Sequence, residues 1–293
     1  MHIPVLLHES IDSLHLMKGD IVIDATVGEA GHSKAIAEAI GDSGTLICFD
    51  ADNEALLRAE ENLKSFKGKK FFINDNFRNL KENVNQLGIE SVNKIFMDLG
   101  VGSHTYDRGL GFSFMKNEPL KMTLDGSQSL TAYDVVNTWA EESLADIIYG
   151  FGEERFSRRI ARAIVTAREL SPIETSGSLA EIVKRAVPAA SRFGKTHPAT
   201  KTFQAIRIAV NDELGALSEG LETGFELLEK DGILSVISFH SLEDRIVKRF
   251  VGEKVEREEG KALSKKPLVP TEDEVRTNPR SRSAKLRAVQ KII

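Results

Sequence analysis

Three aspartates close, or nearly close, short apolar runs: Asp24 in Ile21–Thr26 (IVIDAT), Asp50 in Thr45–Asp50 (TLICFD) and Asp98 in Lys94–Asp98 (KIFMD). An acid in mid-strand is costly, whereas an acid at a strand's carboxyl end in an open α/β sheet faces the ligand crevice. The first run leads into Val27-Gly28-Glu29-Ala30-Gly31-His32-Ser33. Glycines there let the backbone turn tightly, and the helix that follows offers free N–H groups. The dinucleotide fingerprint is G-x-G-x-x-G; this chain has only G-x-x-G, with Ala30 where a middle glycine would stand. Such a turn alone is a weak signal. Asp50 strengthens it, lying 22 residues after Gly28, where an acid accepts hydrogen bonds from a ribose. Turn and acid together point to an adenosine-bearing cofactor, NAD or S-adenosylmethionine. The absent glycine disfavours a pyrophosphate, which needs the closest backbone approach, and so favours S-adenosylmethionine. Phe77 follows the third apolar run and is placed either to stack on adenine or to fill the core. Asp98 and Ser103, in Asp98-Leu99-Gly100-Val101-Gly102-Ser103, are the candidate catalytic residues. Methyl transfer is an in-line displacement at carbon, which needs a desolvated and aimed acceptor more than a strong base.

A second cluster is basic. Between Glu153 and Arg168, the residues Phe156, Ile160, Ala163, Ile164 and Ala167 form one helical stripe. Arg155, Arg158, Arg159 and Arg162 form another, spaced i, i+3, i+4, i+7. A helix that packs on one side and shows arginines on the other suits phosphate contacts; a solvated face paired with Glu153 and Glu154 fits equally well. The net charge of −5 argues against nucleic acid, but it hides an asymmetry. From Phe151 to Arg207 there are eleven Lys/Arg against five Asp/Glu, and from Arg276 onward six against none. Lys201, His240, Arg280 and Arg282 lie in further polar stretches and join the arginines as candidate RNA contacts. Ser241 with Asp244 reads as a capping box. No Cys/His cluster has zinc spacing, and the acids form no clear metal site.

The elements that position these residues are legible as apolar periodicity. Strand-like runs at Ile21–Thr26, Thr45–Asp50, Lys70–Asn74 and Lys94–Asp98 alternate with helical patterns, and Ile233–Phe239 is a fifth. This rhythm implies βαβ units and a parallel sheet. A long strand-free stretch then intervenes. Its last part, Thr202–Glu229, reads as one crossover helix, and Thr131–Tyr149, Glu153–Arg168 and Leu179–Val187 read as helices of an insertion. The expected division is a sheet domain of 1–104 and 201–293 around an inserted helical substrate-recognition domain of 105–200. Leu242–Val251 reads as a helix, the Lys/Glu-rich segment after it as a loop, and Lys285–Ile293 as a last strand. The composition, 41% hydrophobic and 28% charged, is that of an ordinary globular chain. No apolar window is long enough for a membrane span, the N-terminus lacks a signal-peptide pattern, and the lone Cys48 permits no internal disulfide. A cytoplasmic setting fits.

These stretches resemble the bacterial 16S rRNA cytosine-N4 methyltransferase family, known as RsmH or MraW. The resemblance runs through HIPVLLHES, GEAGHS, DLGVGS, GFSF at Gly111–Phe114, GEERFSRRIARAIV, HPATKTFQAIRIAVNDEL, SFHSLEDRIVK and NPRSRSAKLR. It implies a class I Rossmann-like methyltransferase sheet with an inserted helical domain. It further implies S-adenosylmethionine as cofactor and 16S rRNA in the small ribosomal subunit as partner, methylated at N4 of a decoding-centre cytidine. Cofactor contacts carry over to Ala30, Gly31, His32, Asp50, Phe77 and Asp98, beside Gly28 in the same turn. The chain departs from the family at Ala30, usually glycine, and at Gly102-Ser103-His104-Thr105, usually Ser-Ser-Pro-Gln, so that a cofactor-holding glutamine is Thr105 here. It departs again at Asn117–Leu124. Two other readings use the same residues: an assembly factor that keeps the fold without turnover, and a nicotinamide-dependent oxidoreductase.

Overall fold

The five apolar runs form five of the strands of one seven-stranded sheet in a computed structural model that describes residues 3–126, 128–192 and 197–293, with Ser103 and His104 as backbone only. The chain parts into two compact units, Met1–Gly100 with Leu214–Ile293, and Val101–Glu213. The first opens with helix α1 (Leu7–Leu14), then β1 (Ile21–Asp24), α2 (Gly31–Ile40), β2 (Thr45–Asp50), α3 (Asn53–Asn62), β3 (Lys69–Asn74), α4 (Leu80–Gln86) and β4 (Val92–Asp98). The second holds α5 (Ala132–Thr138), α6 (Glu141–Gly150), α7 (Ser157–Leu170), α8 (Ser176–Ala186) and α9 (Thr200–Asn211). The chain returns through α10 (Glu213–Leu227), β5 (Leu228–Ser238), α11 (Ser241–Glu256), β6 (Gly260–Ala262), α12 (Glu272–Thr277) and β7 (Lys285–Lys291).

Strand order is β3-β2-β1-β4-β5-β7-β6, with β1 to β5 parallel and β7 antiparallel to both neighbours. The order reverses between β1 and β4, the switch point where open α/β sheets bind ligands. Both faces are buried. Val22, Leu46 and Phe96 pack on one side with residues of α1, α2 and α3; Ile23, Ile47 and Ile95 pack on the other with α4 and α10. The two-residue alternation of strand side chains supplies both layers. The second unit has its own core, including Leu120, Ile148, Ile160, Ile164, Leu179, Val183, Phe203 and Ile206. Among the described residues no helix is long and apolar enough to cross a membrane.

The boundary between units falls at Val101–Glu213, not at 105–200. The cause is a break in the helix expected over Thr202–Glu229. Asp212 is left-handed (φ 47), which ends α9, and α9 packs with α5 and α6 in the second unit. Thr131–Tyr149 is likewise two helices, because Trp139 is extended. α1, β6 and α12 arise where no element was expected.

Candidate cofactor site and arginine face

β1 ends at Asp24 and the chain turns into α2 through two left-handed residues, Gly28 (φ 51) and Ala30 (φ 61). Glycine enters that region freely; for Ala30 it costs roughly 1–2 kcal/mol. Ala30 is fully buried, and its backbone holds the turn: its N–H donates to Val27 O at 2.7 Å and its carbonyl accepts from Lys34 N–H at 3.0 Å. A Cβ on Gly31 would stand 2.6 Å from Pro4 Cγ, so the N-terminal segment lies directly on the turn. His32 bonds that segment through Nε2 to Val5 O at 2.9 Å, and its ring leans on Phe96 at 4.6 Å.

Three carboxylates converge here. Asp50 Oδ2 accepts the Gly28 N–H at 2.9 Å, and Oδ1 accepts the Asp52 N–H at 2.9 Å. Asp24 is buried and accepts the Ser33 hydroxyl at 2.6 Å and the Thr26 N–H at 3.2 Å. Burial pushes Asp24 up to about 6; the bonds from Ser33 and Thr26 oppose the shift and the charge of Asp50 adds to it. Asp98 donates its backbone N–H to Thr26 Oγ1 at 2.6 Å and places Oδ2 3.6 Å from His32 Nδ1. Its Oδ1 is buried and meets no hydrogen-bond donor among the described residues. Burial first, then the charges of Asp24 and Glu243, push the Asp98 carboxyl well above the ordinary carboxylate range. Each of the two shifts includes repulsion from another acid. The orphaned Oδ1 and this mutual repulsion suit a ligand that brings positive charge and a donor, and they disfavour a pyrophosphate. S-adenosylmethionine, with a sulfonium and an ammonium, meets that requirement.

The structure thus brings together Gly28, Ala30, Gly31, His32, Asp50 and Asp98. Thr26, Ser33 and Asp24 complete the cluster; Thr26 and Ser33 escaped sequence reasoning because a hydroxyl near a glycine turn carries no distinctive pattern. Phe77 opens a short 3₁₀ turn after β3, and its ring packs on α10: a Cβ on Gly220 would come within 2.5 Å of Cδ2. His240 caps α11, where its Nδ1 accepts the Glu243 N–H at 3.3 Å and Glu243 returns bonds to the backbone of Phe239 and His240. The capping box is therefore His240 with Glu243, one residue before the Ser241–Asp244 pair that the sequence suggests. The side chain of Ser103 lies outside the described residues. Thr105 belongs to the second unit, where it is buried and its N–H donates to Gly102 O at 3.1 Å.

In the second unit α7 buries Ser157, Ile160, Ala161 and Ile164. The buried stripe thus takes in Ala161, and Ala163 lies at its margin. Arg158 and Arg159 are exposed and have no charged partner among the described residues. Arg162 reaches Glu141 at 3.4 Å and Arg155 lies over the Phe156 ring at 4.6 Å. Glu154, expected as a partner of the arginines, accepts the Phe156 N–H instead. Lys201 donates to the Glu153 carbonyl at 2.8 Å, which ties α9 to the turn before α7. Two separate stretches of the resemblance also meet here: the His197 ring stacks on Phe114 at 4.5 Å. Arg207 forms a two-pronged pair with Glu213 at 2.8 Å, and Asn211 holds Met122 O and the Leu124 N–H, so this part of the NDEL stretch is structural.

The C-terminal basic segment of the first unit is largely paired. Asp244 takes Lys285 at 2.7 Å and Arg287 at 2.8 Å, and Arg276 pairs with Asp273. Arg280 and Arg282, on the 3₁₀ turn Pro279–Ser283, stay exposed with no partner among the described residues.

Residues 1–292 match the model of the MraW methylase family. Two curated relatives are both called ribosomal RNA small subunit methyltransferase H. The one from Brevibacillus brevis is 43% identical over 99% of this chain and 98% of its own. The one from Streptococcus dysgalactiae subsp. equisimilis is 44% identical over the same shares. A solved structure of a candidate rRNA methylase from Clostridium thermocellum covers 100% of both chains at 14% identity with a TM-score of 0.50, a likeness of fold alone.

Proposed function

Because this chain belongs to the MraW methylase family, we propose that it methylates 16S rRNA of the small ribosomal subunit from S-adenosylmethionine, at N4 of a cytidine in the decoding centre. The observation that carries the cofactor half is the meeting of the Gly28–His32 turn with Asp50 and the orphaned Asp98 carboxylate at the strand switch point. Bound S-adenosylmethionine supplies a methyl group on a sulfonium, open to in-line attack by a nucleophilic nitrogen. Asp50 is placed to accept the ribose hydroxyls in exchange for one of its present backbone bonds. Asp98 offers an acceptor for the ammonium group or for the acceptor amine. His32 and Thr26 fix the orientation of Asp98, and Ser33 fixes that of Asp24. No residue has to act as a strong base, since alignment and water exclusion supply most of the acceleration for such a displacement.

The RNA half rests on the relatives' names and on the unpaired arginines of α7. Small subunits from a strain lacking this protein, incubated with it and S-adenosylmethionine, should gain N4-methylcytidine by mass spectrometry of the 16S rRNA. Normal cofactor binding with no such nucleoside would replace the enzyme reading with that of an assembly factor.

A further inference from the structure

The second unit holds an open groove of about 590 Å³ between α7 and α8. Its rim carries four guanidinium groups, Arg158, Arg159 and Arg162 from α7 and Arg185 from α8, and its floor is apolar, with Ala163, Ala167, Ile182 and Ala186. The groove exists because of side-chain size. Ala163 and Ala167 stand one helical turn apart on α7, and Ala186 faces them from the end of α8, so the packed helices leave room that larger residues would fill. The helices themselves are fixed by Ile160 and Ile164 on one side and Leu179 and Val183 on the other, all fully buried. The site is therefore a rigid trough, within the ~300–1,000 Å³ range of small-ligand clefts. Leu170, 88% exposed, stands at its edge.

Four cations gather around this floor, and only Arg162 has an acid nearby among the described residues, at 3.4 Å. The occupant must bring negative charge together with a flat or apolar surface. An unpaired nucleotide has both, a phosphate for the guanidinium forks and a base for the alanine and isoleucine floor, and guanidinium planes stack on bases as well. We propose that the α7–α8 groove is a single-strand subsite, which grips an unpaired nucleotide of the RNA substrate other than the one that is methylated. This rests on the reading of the chain as an rRNA methyltransferase and adds Arg185, Ile182 and Leu170 to the surface that holds the substrate.

The test uses the full chain and a fluorescent single-stranded oligoribonucleotide of small-subunit rRNA sequence, with affinity measured by anisotropy across a salt series. Arg158→Gln with Arg185→Gln should weaken binding roughly tenfold or more and flatten the salt dependence by about 1.4 in log–log slope. Ala167→Leu, which fills the groove and leaves every charge in place, should weaken binding several-fold with the slope unchanged. Circular dichroism and a thermal unfolding profile matching the wild type check that the mutated second unit is folded in each variant, and calorimetry with S-adenosylmethionine checks that the cofactor cluster in the other unit is intact. Wild-type affinity and slope in both variants would overturn the groove while leaving the rRNA reading intact. An acidic peptide that displaces the RNA from the wild type and loses affinity in Ala167→Leu, with RNA affinity unaltered there, would assign the groove to a protein partner instead. No RNA affinity in the wild type would remove both readings together.

Discussion

The acids at the strand ends and the arginines of α7 are held in opposite ways. Asp24, Asp50 and Asp98 are sunk among backbone donors, hydroxyls and His32, and they repel one another. Arg158 and Arg159 stand in solvent on a helix whose other face is locked by Ile160 and Ile164. A buried cluster of like charges is preformed for one small ligand of opposite sign, and the fold bears the strain until that ligand arrives. An exposed cluster without partners bears little strain and gains its energy only when a polyanion releases its counterions. Mutations in the two regions should therefore change different quantities: stability and cofactor affinity in the first, salt-dependent RNA affinity in the second.

The largest expected effect is a pH dependence of stability from Asp24. Its carboxyl is raised from the ordinary 3.8 to about 6, so between those values the folded chain keeps a proton that the unfolded chain has lost. Stability from this group is greatest below about pH 4 and falls as pH rises towards 6, by up to about 3 kcal/mol. Asp24→Asn removes that loss, and urea unfolding at pH 7 should find the variant more stable than the wild type. A variant that is less stable at pH 7 would mean that the bonds from Ser33 and Thr26 outweigh burial, which would break the contrast with α7.

Asp244 gives the next effect. Against the upward push of burial, Arg287 and Lys285 hold its carboxyl below the ordinary range. Asp244→Ala leaves Arg287, 13% exposed, without its carboxylate, and should cost about 2 kcal/mol at neutral pH in the same unfolding experiment. A loss under ~0.5 kcal/mol would show that the C-terminal cations are as free as those of α7. The smallest effect on stability belongs to Arg158→Gln with Arg159→Gln, expected within ~0.5 kcal/mol of wild type. A larger drop would show that these arginines hold the fold, and would remove the reason to set them aside for RNA.

β1, β2 and β4 were legible because each is an apolar run closed by an acid, and the turn with Asp50 was legible because their spacing is set by one βαβ unit. The rest depended on tertiary partners. α1 has no side-chain cap, with Leu6 and His15 left-handed at its ends (φ 51 and 47), so no start or stop signal marks it. The break at Asp212 is a left-handed aspartate where glycine would have announced a helix end. β6 is three residues long and exists only because β7 pairs with it. The basic C-terminus looked like a polyanion contact because its partner, Asp244, lies 41 and 43 residues away from Lys285 and Arg287. The α7 arginines resolved the other way, since Glu154, their nearest expected partner, bonds the backbone of its own turn.

The most direct measurement is calorimetric titration of the wild type and Asp50→Ala with S-adenosylmethionine and, separately, with NAD. The wild type should bind S-adenosylmethionine and not NAD, and Asp50→Ala should bind S-adenosylmethionine roughly tenfold or more weakly, as expected for the loss of charged hydrogen bonds to a ribose. Equal affinity in the two proteins, or binding of NAD in preference, would contradict the seating of the methyl donor on the Gly28–His32 turn.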